Sequence, residues 1–277
     1  MMTPKAKLHT YARRWCIERQ AALRQEKDRP IEQGADDGIS CRWTRIHLLE
    51  AILIAIERLV PEEFSSRQIT EWRLVEVGQS TPLQSLHRFS SRQKEDVQAI
   101  QEERTLFTGA VRTFTAQKDW KKWSVEPLPY RRTLLEEESA CLTAGLRETW
   151  GITKRWWLPF DHYSFPYEVL VFDSAAMKDS LTTEAMRKIM ASHGVDRIYE
   201  LVESKTSPDR EVALTLWEPY KGFWTEKYWV TERRDWLFYT THDGSTTIAG
   251  DWLLAEIKSI WPKWEEHFWV DHWKKVP

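Results

Sequence analysis

Cysteine is scarce in this 277-residue chain: Cys16, Cys41 and Cys141 are too few and too scattered for a disulfide framework or a zinc cluster. They fit a reducing compartment, so a cytoplasmic location is expected. Long apolar runs are missing too. The longest, residues 48–56, is broken by Glu50 and falls short of the ~20 residues a membrane span requires. Residues 1–14 mix basic and polar side chains with no apolar stretch, so neither a signal peptide nor a membrane partner is expected. Only ten glycines are present, and none belongs to a G-x-G-x-x-G or Walker loop. A G-x-S-x-G elbow, an H-E-x-x-H pair and paired C-x-x-C motifs are missing as well. No cofactor is therefore expected, and the prior for an enzyme falls.

A dominant charge sign is also lacking. The net charge is −2, with residues 1–125 at +4 and the remainder at −6. Both imbalances are mild. A phosphate backbone usually asks for a concentrated basic face, so a protein partner is favoured over nucleic acid.

Tryptophan, by contrast, is abundant. There are 17, and Trp217, Trp224, Trp229, Trp236, Trp252, Trp261, Trp264, Trp269 and Trp273 all fall in the last stretch. Each can bury roughly 150–250 Å² and carries an N–H that wants an acceptor.

Apolar spacing divides the chain in two. Leu8, Tyr11, Ala12, Trp15, Ala22 and Leu23 recur at helical steps, and a second helix is expected over residues 44–60. Ser65-Ser66-Arg67-Gln68 resembles the cap of a third, and a short fourth is expected from Thr81-Pro82. Val97, Ile100, Phe107, Val111 and Phe114 form a long stripe after that, interrupted by Arg104. Pro127 and Pro129 mark a boundary. Beyond it, Thr133-Leu134-Leu135-Glu136 predicts a capping box, and Gly151 a helix stop. Strands are predicted over residues 155–158, 167–172, 197–203, 212–217, 226–231, 236–241 and 246–249, with helices at 182–193 and from Asp251. Asp243-Gly244 predicts a type I′ hairpin. The expected fold is α+β: a helical N-terminal region, residues 1–125, followed by a mainly antiparallel sheet with flanking helices in residues 126–277.

Several residues could carry chemistry. Asp161 and His162 with Asp173 could supply a base and an orienting carboxylate, which gives a hydrolase, perhaps one acting on nucleic acid, as the alternative function. His242, Asp243 and Ser245 have the residue types of a triad but stand too close together on a turn to form a relay. Glu266-His267 and Asp271-His272 have metal-ligand types, but a solvated amphipathic end explains them better, and no metal is expected. The aromatic cluster around Trp224, Tyr228 and Trp229 is harder to absorb. Adjacent strand residues point to opposite faces, so Tyr228 and Trp229 cannot both enter one core. These three are the expected binding residues, with at least one exposed. The expected function is a non-catalytic intracellular protein-binding protein, such as an inhibitor or immunity-type partner that masks another protein's active surface.

Overall fold

A computed structural model describes residues 2–26, 37–83, 93–117, 119–152, 157, 165–203, 207–220 and 226–269. The fold is α+β, and the chain forms two compact units, Met1–Leu128 and Pro129–Pro277. No helix among the described residues is long and apolar enough to cross a membrane.

The first unit is helical. Helix α1, Pro4–Gln25, opens where the Thr3 side chain accepts from the Ala6 N–H and proline occupies the first turn. Helix α2 spans Asp37–Glu57; α3 spans Arg67–Ser80, capped by Ser66 through a 3.3 Å bond from Ile69 N; and α4 spans Gln93–Thr115. Leu8, Ala12, Cys16, Ile46, Leu49, Ile52, Leu74, Phe107 and Val111 form their shared core. Gly78 sets the approach of α3 to α4, since a Cβ there would stand 2.4 Å from the Phe107 ring. Residues 81–83 are not helical, and the rest of the expected short helix lies outside the described residues.

The α4 stripe differs from its prediction. Val97 is exposed, whereas Asp96 and Glu103 point inward. Their partners explain this. Glu103 accepts a two-pronged bond from Arg19, at 2.9 and 3.2 Å, and a third from Arg45 at 3.1 Å. Thr44 donates to Asp96 at 2.7 Å, and Arg13 pairs with the buried Glu57 at 3.2 Å. Such pairs add little net stability but penalise any helix register that separates them. His9, half-buried near Arg13, donates from Nε2 to the Ile56 carbonyl at 2.9 Å. Burial outweighs that bond and lowers its pKa from 6.5 to about 4.

The second unit is built on a seven-stranded antiparallel sheet. Its strands are β1 Arg131–Thr133, β2 Val169–Asp173, β3 Arg197–Val202, β4 Arg210–Ala213, β5 Lys227–Val230, β6 Leu237–Thr240 and β7 Ser245–Ala249. They lie in the order β1-β4-β3-β5-β6-β7-β2. Its helices are α5 Glu136–Trp150, α6 Ser174–Ser180, α7 Thr183–Ser192 and α8 Asp251–Ile260. Strand β1 and helix α6 are too short to leave a periodic signal, and the sequence does not predict them.

Three local expectations are corrected. Strand β4 ends at Ala213 and passes into a 3-10 turn, Leu214–Leu216, so the run predicted as a strand to Trp217 bends away. Helix α5 is capped at Leu135, whose N–H donates to the Glu138 carboxylate at 2.8 Å, because Thr133 is committed to β1. The β6–β7 hairpin closes with Thr241 N to Ser245 O at 3.0 Å, leaving the three loop residues His242, Asp243 and Gly244. Only Gly244 of these has positive φ, +82°. That is a three-residue loop with glycine in the left-handed position rather than a two-residue type I′ turn. Of the strand predicted at 155–158, only Trp157 is described, and it lies in no strand.

Both faces of the sheet are dry. On one, Phe172, Ile198, Trp229, Phe238 and Ile248 pack with Met177, Met186, Leu253 and Leu254 from α6, α7 and α8. On the other, Leu201, Tyr228, Val230, Leu237 and Tyr239 pack with Leu142, Leu146 and Trp150 of α5.

Candidate functional site

The aromatic pair singled out by the sequence sits in the middle of this sandwich. Tyr228 and Trp229 do point to opposite faces, but each face has its own core, so Tyr228 is 5 % and Trp229 1 % exposed. Neither of these two is therefore the exposed ring expected among Trp224, Tyr228 and Trp229. Tyr228 stacks on Tyr239 across the strands at 4.3 Å, and burial pushes both phenols above their ordinary pKa. The Trp229 indole donates to Glu200 at 3.3 Å. The indole N–H groups of Trp150, Trp217 and Trp236 make no hydrogen bond among the described residues. Trp224 lies outside the described residues.

Of the residues expected to form a hydrolytic centre, only Asp173 is described. Asp161 and His162 lie outside the described residues. Asp173 caps α6, accepting from Ala176 N at 2.8 Å, which commits its carboxylate to the helix start. At the same end of the sheet, His242 Nδ1 lies 2.9 Å from the buried carboxylate of Glu226, and its Nε2 lies 3.3 Å from Asp243. Ser245 bonds to Thr241 at 2.9 Å. Both ring nitrogens face carboxylates, and among the described residues neither meets a hydroxyl, so the group staples the hairpin to the start of β5. Glu226 is sixteen residues from His242 and was not anticipated. His267 stacks on Trp261, and no three metal-ligating side chains converge among the described residues.

Among the described residues, the exposed tryptophans are on helices of the first unit. Trp72 of α3 is 56 % exposed and Trp43 of α2 is 42 % exposed. Helix α3 buries Thr70, Leu74, Val75 and Gly78, which turns Ile69, Trp72, Arg73 and Glu76 outward at helical spacing. The Arg73 guanidinium lies 4.6 Å from the Trp72 ring centre and also binds Glu76 at 2.8 Å. Trp43 has Arg42 near its face at 6.0 Å. The Trp72 face is therefore apolar, rimmed by charge and locally neutral. Sequence reasoning missed it, because Trp72 stands inside an ordinary helical pattern and only its neighbours' burial shows that it faces out.

No protein-family model matches the chain, and neither a curated protein nor a solved structure is similar to it.

Proposed function

We propose that this chain is a non-catalytic protein-binding protein, of the inhibitor or immunity type, acting in the cytoplasm. The observation that carries this is the Ile69–Trp72–Arg73 face of α3. Trp and Arg are the side chains most enriched at interface hot spots, and here they are adjacent, exposed and mutually supporting. At 56 % exposure the Trp72 ring leaves on the order of 100 Å² of apolar surface wet, which is worth roughly 2–3 kcal/mol when covered. Arg73 is already engaged by Glu76, so this face offers little unpaired charge to a phosphate backbone. A protein surface with an apolar pocket suits it better.

The test compares the wild-type chain with Trp72→Ala in capture from the native host, followed by titration of the isolated partner. The substitution should weaken binding by at least ~2 kcal/mol while changing folding stability by less than ~1 kcal/mol. Capture that is indifferent to both Trp72→Ala and Trp43→Ala would refute the proposal.

A further inference from the structure

We propose that the loop between β5 and β6 forms an oxyanion-binding site centred on the Arg234 guanidinium, taking a carboxylate or a phosphate group. It lies in the second unit and is independent of the α3 face.

Three observations meet at this side chain. Arg234 closes a turn with its N–H on the Thr231 carbonyl at 3.1 Å and has φ +55°, where glycine or asparagine is the ordinary occupant. Its side chain then lies across α5 at Gly145, so closely that a Cβ there would stand 2.0 Å from one terminal nitrogen. Glycine inside a helix is unfavourable, so α5 keeps a weak residue where the guanidinium passes. Yet the guanidinium has no acceptor among the described residues. Its Nε is sealed from solvent without a hydrogen bond, and no carboxylate pairs with its terminal nitrogens. The neighbouring Arg233, by contrast, meets Asp235 at 3.5 Å.

Among the described residues, nothing offsets the cost of a left-handed arginine and a mid-helix glycine. Backbone strain and unmatched buried donors of this kind cluster where a ligand completes the arrangement. The same loop holds Thr231 Oγ1, also buried and without a partner, as a second available donor, together with Asp235 Oδ1, which receives no hydrogen bond. A guanidinium is a flat fork of donors that matches the paired oxygens of a carboxylate or phosphate.

The experiment follows the arginine Nε–H resonances of the full chain by NMR during titration with orthophosphate and, separately, with acetate. Sodium chloride of matched ionic strength is the control. One Nε–H signal should move saturably with at least one of the two anions, and the stronger response identifies phosphate or carboxylate as the ligand class. Arg234→Gly should abolish that signal and weaken anion-dependent thermal stabilisation at least ~10-fold. In chloride it should melt no lower than wild type, because glycine accepts positive φ freely. Gly145→Ala should weaken anion binding several-fold by displacing the guanidinium while leaving its charge intact. No saturable response to either anion, or an equal thermal response in Arg234→Gly, overturns the proposal. So does an Arg234→Gly chain that melts lower in chloride and gains nothing less from anions than wild type, which would assign the side chain an ordinary packing role.

Discussion

Acid should weaken the helical unit through His9. The unfolded chain takes up this proton near 6.5, whereas the folded chain resists it until about 4. Between those values the unfolded state binds more protons, so stability falls as pH falls, and the His9 contribution is complete only above about pH 6.5. Burial is the main cause; the Ile56 carbonyl, which accepts from Nε2 at 2.9 Å, pulls the other way and is outweighed. A difference of roughly 2.5 units at 1.36 kcal/mol each gives a loss of about 3 kcal/mol by pH 4. That is a large fraction of the ~5–15 kcal/mol available to a typical protein. Urea unfolding at a series of pH values measures it, with His9→Gln as the reference because Gln retains a donor for Ile56 without titrating. Carboxylates titrate in both chains, so the difference between the two curves isolates the imidazole. The wild type should lose stability faster than His9→Gln from about pH 6.5 downward. Two parallel curves across that window would refute the reasoning.

Gly78→Ala sets helix propensity, a gain of ~1 kcal/mol, against a Cβ placed 2.4 Å from the buried Phe107 ring. Overpacking of that kind costs ~1–3 kcal/mol, so the thermal midpoint should fall. Trp229→Ala should destabilise by ~3–5 kcal/mol in chemical denaturation, since its ring is buried against Trp217 and Phe238 at 6.5 and 5.7 Å. A change below ~1 kcal/mol would show that this ring does not hold the sheet together.

The helices were legible because their signals are local. Leu8, Ala12 and Cys16 mark one face of α1, and Ser66 announces α3 through a bond only three residues long. The central strands were legible for the same reason, as short aromatic and β-branched runs. What escaped depends on distant partners. The burial of Asp96 and Glu103 depends on Thr44, Arg19 and Arg45, which arrive from other helices. Glu226 acquires its meaning only when β5 and β6 pair and bring His242 beside it. The site was the least legible part. Tyr228 and Trp229 drew attention by crowding, and that crowding reflects a sheet sealed on both sides. Trp72 drew none, because exposure is a property of the packed helix and not of the residue.

The doubly sealed sheet also constrains how the second unit comes into being. One face is covered by α5, made before most of the strands, whereas the other needs α8, made after all seven. Strand β2 finds its partner β7 only once β3 to β6 have been synthesised. Until then Phe172, Trp229, Phe238 and Ile248 have no complete cover. Contacts this remote in sequence slow folding, and apolar faces left open in the interval favour association between nascent chains. The unit thus has a long vulnerable period during its own synthesis, and its yield in a cell should depend on chaperone supply more than its final packing would indicate.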